Sequence, residues 1–249
     1  MRALKRPLAP ECLQDYDYVT QIWDNLSRND YCSIRQALSL MQGGEHFPDI
    51  KGAYCGYCEC RILGDQPNSE NAVKQHIEHF RRRRDYKSRT FQWDNLFLSC
   101  YKGWKCGRFK DSSAGEINYE LLIKPDEVNP EEHLLFKPSG RVIPRDSDPT
   151  SESHQKAKET IRVFNLNASH PKDDNQSLIY LRKQAIDQHR GLEEMIAQSL
   201  ELLEESEEED LALVLELIRE ELEALVNAPY FTAIKHSLLP PHLQIATGA

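Results

Sequence analysis

The chain has 249 residues and a mass of 28.8 kDa, with 39% hydrophobic and 29% charged residues, which excludes the disordered, collagen-like and low-complexity classes. No apolar run approaches the ~20 residues of a membrane span, and MRALKRPLAPECLQ lacks the apolar centre of a signal peptide, so a soluble cytoplasmic protein is expected. The net charge of −9 would argue against nucleic acid as a partner if it were evenly spread. It is not: residues 51–111 carry 13 Lys and Arg against 7 Asp and Glu, whereas residues 112–249 carry 13 against 26. A basic module sits inside an acidic protein.

Taken in chain order, Tyr18, Val19, Ile22, Trp23 and Leu26, then Ile34, Ala37, Leu38 and Met41, recur at three- and four-residue steps. This spacing predicts two helices, parted by Ser27, Asn29 and Asp30 and ended by Gly43-Gly44. Residues 51–111 are dense in Cys, His, Arg and aromatics, which predicts a compact, metal-stapled unit of short strands and loops. Pro125, Pro130, Pro138, Pro144, Pro149 and Pro171 mark a loop-rich connector, with a strand pair expected around 116–123 and 134–142 and a short helix over 151–164. Leu178, Leu181, Ala185, Leu192, Met195, Ile196, Leu200 and Leu203 fit one helix stripe weakened by Gly191; Leu211, Leu215, Ile218, Leu222 and Leu225 fit a second. The acidic run at 204–210 joins them, as a solvated turn or a docking site for a basic partner. The expected class is α+β and mostly helical, in three segments: 1–50 helical, 51–115 the metal module, and 116–249 connector plus C-terminal helices.

Seven cysteines fall unevenly. Cys55-Gly56-Tyr57-Cys58 is a C-x-x-C knuckle, and Cys100 and Cys106 form a second pair separated by five residues rather than two. Four thiolates can close a tetrahedral Zn²⁺ site and stabilise a module with little core of its own. Cys60 is an alternative ligand to Cys58. A redox pair is the competing reading, but it leaves the downstream cysteines unexplained. Cys12 and Cys32 read as small apolar residues.

Between the pairs lie His76-Ile77-Glu78-His79-Phe80 and Phe91-Gln92-Trp93-Asp94-Asn95-Leu96. Hydrolysis of a phosphodiester needs a base for water, an oxygen ligand for a hard cation, and a group that fixes the base in place. Glu78, His79 and Asn95 supply those types in order.

These residues resemble the HNH endonucleases, whose usual pattern is C-x-x-C, Asp/Glu-His, Asn-Leu, then C-x-x-C followed by His or Asn. More narrowly, IEHF, WDNLFLSC, CGRFKD, the opening LKRP and YDYVTQIWD, and VFNLN are similar to the HNH proteins found with retron reverse transcriptases and in Septu-type anti-phage systems. The resemblance implies a ββα-metal module embedded between N- and C-terminal helices, and a defence nuclease working with an ATPase subunit and, in retrons, a reverse transcriptase. It assigns His79 as general base, Glu78 as acidic ligand of a catalytic Mg²⁺ or Mn²⁺, and Asn95 as the residue holding the loop that orients His79. Cys55, Cys58, Cys100 and Cys106 are the structural Zn²⁺ ligands.

The third motif position departs from the pattern, because Gly107 and Arg108 follow Cys106. Asp111, one helical turn after Gly107, is a replacement ligand or else only a turn residue. His76 shares the strand face of Glu78 if the segment is extended and is a second-choice ligand. Arg81, Arg82, Arg83, Arg84, Lys87 and Arg89, with Lys102, Lys105, Arg108 and Lys110 as a second basic edge, are expected to hold a phosphate backbone, or otherwise to form a solvated loop. Trp93, Tyr101 and Trp104 stack on bases or pack around the zinc site. No base-reading helix is present in the pattern, so sequence specificity is expected to come from elsewhere. DNA is the expected substrate, and RNA stays open because a small site of this kind binds mostly backbone. The contrasting expectation is a non-catalytic zinc module with a decayed site. The leucine-rich C-terminal helices are expected to dock the partner or to complete the fold.

Overall fold

The computed structural model describes residues 1–44, 53–62, 75–203 and 208–239. Among them are seven α-helices and two small antiparallel sheets, so the α+β class holds. No helix among the described residues is long and apolar enough to cross a membrane.

The first expected helix does not form. Glu11–Asp15 and Trp23–Asn25 are short 3₁₀ turns, and Tyr18, Val19 and Ile22 are 47%, 72% and 63% exposed. The Asp17 carboxylate accepts from the Val19 N–H at 3.0 Å and the Gln21 amide oxygen accepts from the Asp17 N–H at 2.8 Å. Such local side-chain bonds compete with a helical ladder, and packing Trp23 and Leu26 on the core does not require one. The second helix, α1 (Arg28–Met41), starts at Ser27, whose hydroxyl accepts from Asp30 N–H, and buries Ile34, Leu38 and Met41. Gly43, at φ +80°, turns the chain out of it.

Just beyond α1, the Gln42 side chain acts as a piece of backbone. Its amide nitrogen donates to the carbonyls of Tyr54 and Leu98, and its oxygen accepts from Leu98 N–H at 2.7 Å. This ties α1 and the cysteine knuckle to a hairpin of β1 (Gln75–His79) and β2 (Leu96–Cys100), in which Glu78 faces Phe97 and His79 faces Leu96. A short helix, α2 (Cys106–Ser112), packs on β2.

The expected strand pair in the connector is half right. β3 (Leu134–Phe136) pairs with β4 (Val142–Pro144), but 116–123 carries only a 3₁₀ turn at Tyr119–Leu121. Asn118 caps that turn through Glu120 N–H, and Thr160 of the next helix takes the Ile123 N–H, so no strand partner is needed. The expected helix is α3 (Glu152–Val163), capped by Ser151.

The stripe over 178–203 divides into α4 (Leu178–Asp187) and α5 (Arg190–Leu203). Leu178, Arg182 and Ile186 bury on the main core, whereas Ile196 joins a second cluster with Ile218, Leu222, Phe231, Ile234 and Leu238. One straight helix cannot present its stripe to both. α6 (Glu208–Leu225) follows, and the first four positions of the acidic run lie outside the described residues. α7 (Phe231–Leu238), absent from the expectation, is buried along nearly its whole length.

The three expected segments share one core. Its apolar cluster includes Met1 and Leu38, the knuckle and hairpin, and Phe164, Leu178, Tyr230 and Ala233. Glu59 of the knuckle accepts from Thr232 N–H at 3.0 Å, and its carbonyl accepts from Tyr230 N–H at 3.1 Å. The C-terminal helices therefore complete the fold around the knuckle, whatever else they contact.

Candidate functional site

Cys55 and Cys58 lie on a tight turn closed by Cys55 N–H to Cys60 C=O at 3.0 Å and anchored on β2 by Gly56 N–H to Leu98 C=O. Cys100 ends β2 and Cys106 begins α2. The four sulfurs lie within 4.8 Å of one another, all buried, with Cys58 and Cys100 4.0 Å apart. Tetrahedral coordination at an M–S distance of about 2.3 Å needs sulfurs about 3.8 Å apart, so the cluster fits a metal ion after a small contraction. The wide spacing of the second pair is no obstacle, because strand end and helix start converge. Cys60 is buried beside the cluster but outside the four-sulfur set. Burial alone would keep the Cys58 thiol protonated; hydrogen bonds with Cys100 and Cys106 outweigh it and bring its pKa well below the ordinary value. Lys105, 2% exposed, stays charged despite burial because the nearby cysteine sulfurs, Cys58 first, favour its ammonium.

α3 locks this centre from outside. The carbonyl of Phe164 accepts from Cys106 N–H at 2.8 Å, its ring stacks 3.9 Å from that of Tyr57, and Asn165 donates to the Trp104 carbonyl. These contacts give VFNLN a structural role.

The hairpin carries the expected chemistry. His79, at the end of β1, is buried, and its Nε2 donates to the Thr90 carbonyl at 2.9 Å. A carbonyl can only accept, so the neutral ring holds its proton on Nε2 and keeps Nδ1 as an acceptor. Burial, and then the charge of Arg83, lower its pKa from 6.5 to about 4. The edge of Trp23 meets the His79 ring at 4.5 Å. The Asn95 amide spans the same loop: its oxygen accepts from Arg81 N–H at 2.7 Å, and its nitrogen donates to the carbonyls of Arg81 and Arg89 at 3.1 and 3.0 Å. It thereby joins the chain just after His79 to the residue preceding Thr90. Arg6 clamps the same turn from the N-terminal segment, bonding Asp126 and the carbonyls of Trp93 and Leu96. Trp93 packs on Arg6 and donates to Pro7, rather than packing on the cysteine centre.

Glu78 is 1% exposed. Its Oε1 lies 2.7 Å from Lys110 Nζ and its Oε2 lies 3.2 Å from His76 Nε2, which shows the two side chains on one face. Burial would raise its pKa, but Lys110 first and then His76 overcome this and hold the carboxylate at about 2. Gly107 explains how it fits. A Cβ at 107 would lie 2.5 Å from Glu78 Cδ and 3.0 Å from Cγ, so the carboxylate fills the space where the motif expects a third side chain. Asp111, 48% exposed on its side chain, lies 2.9 Å from Lys110 Nζ; burial and the nearby Glu78 charge raise its pKa. His76, Glu78, His79, Arg83, Arg108 and Asp111 line one cavity of about 430 Å³.

Several expected backbone contacts are corrected. Lys105 and Lys110 are 2% and 0% exposed, and Arg82 is buried, donating to the carbonyls of Gly115 and Lys110. Each neutralises or ties interior groups; Lys105 and Lys110 lie outside the cavity lining, whereas Arg82, though buried, borders it. Arg81 is partly buried against Glu120, Tyr86 and Tyr119, whereas Arg83, Arg84, Lys87, Lys102 and Arg108 are exposed. Tyr101 is exposed with the Arg108 guanidinium 4.0 Å over its ring; Trp104 packs on His170 and Lys105. Sequence reasoning missed the Lys110–Glu78 pair, and its one signal was a glycine inside a helix where the motif has a ligand.

No protein-family model matches the chain, and no curated protein matches its sequence.

Proposed function

We propose that this chain is a metal-dependent HNH endonuclease subunit of a bacterial anti-phage system, cutting phosphodiester bonds of DNA in the cytoplasm together with an ATPase partner. The observation that carries the reading is His79, fixed as the Nε2–H tautomer by Thr90 and sharing one cavity with the Glu78 and Asp111 carboxylates on a cysteine-stapled hairpin and helix. The four cysteines would take Zn²⁺, for which buried thiolates at tetrahedral spacing are the usual set.

The residues are compatible with a Mg²⁺ or Mn²⁺ ion, because buried Glu78 Oε1 accepts no hydrogen bond of normal geometry and Asp111 faces the same cavity. Glu78 and Asp111 would hold the ion, which when bound supplies charge stabilisation at the scissile phosphate. His79 takes the proton of the attacking water through Nδ1. Asn95 and Thr90 keep its ring from turning. Arg83, Arg84 and Arg108 at the rim hold the strand by its phosphates, and a phosphate beside Arg83 cancels part of the field that depresses the His79 pKa.

His79→Ala should lower plasmid cleavage with Mg²⁺ or Mn²⁺ by at least about 10²-fold while one zinc per chain is retained. Undiminished cleavage, measured with and without the ATPase, would refute the assignment; RNA is the alternative substrate in the same assay. Gly107 and the Lys110–Glu78 pair favour a second reading, a zinc-stapled binding or bridging module without catalysis. In that case His79→Ala changes nothing and Cys58→Ser removes binding.

A further inference from the structure

Lys110 projects from α2 against Glu78 and Asp111, two residues that line the cavity, with its own side chain fully buried. Its ammonium lies 2.7 Å from Glu78 Oε1 and 2.9 Å from Asp111 Oδ1, and donates to the carbonyls of His79 and Phe80 at 2.5 and 3.2 Å. Four oxygens, three from the end of β1 and the residue after it and one from α2, thus converge on one nitrogen. Its hydrogen bonds go to the two carbonyls, whereas the carboxylates are held as ion pairs and the buried Glu78 Oε1 accepts no hydrogen bond of normal geometry. Two carboxylates and two carbonyls are also the donor set of a hard divalent cation.

Resting on the metal-dependent reading above, we propose that Lys110 is a resident cation of this oxygen cluster and that its ammonium and a divalent ion are alternative occupants. The reason is electrostatic. A divalent ion within bonding distance of Glu78 and Asp111 would sit within a few ångströms of the ammonium, and like charges at about 4 Å in a buried site repel strongly even at an effective dielectric of about 20. A divalent ion therefore binds only when Lys110 swings out, and its affinity carries that penalty. Lys110 acts here as a positioning residue that sets metal affinity, without contact with substrate.

The test is Mn²⁺ titration of the zinc-loaded full chain, without nucleic acid, read by the electron paramagnetic resonance signal of free Mn²⁺. Lys110→Met should tighten Mn²⁺ binding by at least about tenfold, equivalent to about 1.4 kcal/mol. Lys110→Gln, which keeps a donor for the His79 and Phe80 carbonyls, should do the same if the methionine variant does not fold, as judged by zinc content and circular dichroism. Lys110→Arg should give no gain, and adding Glu78→Gln to Lys110→Met should abolish it. Equal affinity in the wild type and the folded neutral variant overturns the proposal, as does micromolar Mn²⁺ binding at Glu78 in the wild type. Cleavage is not the readout, so a chain that fails to cut but shows the gain refutes only the nuclease reading. A chain that cuts without the gain refutes only the competition.

Discussion

Gly107→Ala sets two elementary effects against each other. In an unobstructed helix, alanine for glycine stabilises by about 1 kcal/mol. Here the new Cβ would stand 2.5 Å from Glu78 Cδ, where carbon atoms ordinarily approach to about 3.5–4.0 Å, so Glu78 must retreat by about 1 Å. The carboxylate is the mobile end of its side chain, but it is pinned by Lys110 at 2.7 Å and His76 at 3.2 Å. Overpacking costs about 1–3 kcal/mol, and losing a buried pair costs about 3–5, so the clash wins over propensity. Net destabilisation of about 1–3 kcal/mol should lower Tm by about 3–10 °C at this chain length. Calorimetry of the zinc-loaded protein measures it. In a Glu78→Ala background the obstruction is gone, and Gly107→Ala should become neutral or stabilising by up to about 1 kcal/mol. A rise in Tm for the single substitution would show that Glu78 does not occupy the third motif position.

Cys58→Ser should abolish stoichiometric zinc, and chelation of the wild type should lower Tm by more than about 10 °C, because the ion joins knuckle, strand and helix; elemental analysis and thermal circular dichroism check both. The acid limb of kcat/KM should fall near pH 4 rather than 6.5, because burial and Arg83 depress the His79 pKa to about 4. The same depression makes the unfolded chain bind a proton that folded His79 refuses below pH 6.5. Stability is therefore lost as pH falls from about 6.5 towards 4, by up to about 3 kcal/mol, and His79→Gln should remove that part of the pH dependence in denaturant titrations.

Local patterns determined much of this protein. The Ser27 cap, the short helix expected over 151–164 and the cysteine pairs each depend on neighbours a few residues apart, and each is found where the sequence places it. The hydrogen-bond partners of Asn95, Arg81 and Arg89, are likewise near it in sequence. Tyr18, Val19 and Ile22 show where periodicity misleads: helical spacing forms a helix only when a core receives the stripe, and these three stay exposed while Trp23 and Leu26 reach one. The division of 178–203 and the burial of α7 have the same origin, because which core a stripe meets depends on elements far away in the chain.

Charge is where the sequence alone says least. The basic excess of residues 51–111 is legible by counting, but counting cannot tell a rim arginine from an interior cation. Arg83, Arg84 and Arg108 border the cavity, whereas Lys105 is drawn inside by cysteine sulfurs and Lys110 by two carboxylates and two carbonyls. Burying an ammonium is tolerable only where oxygens or sulfurs converge on it from several elements, and that convergence exists only after folding.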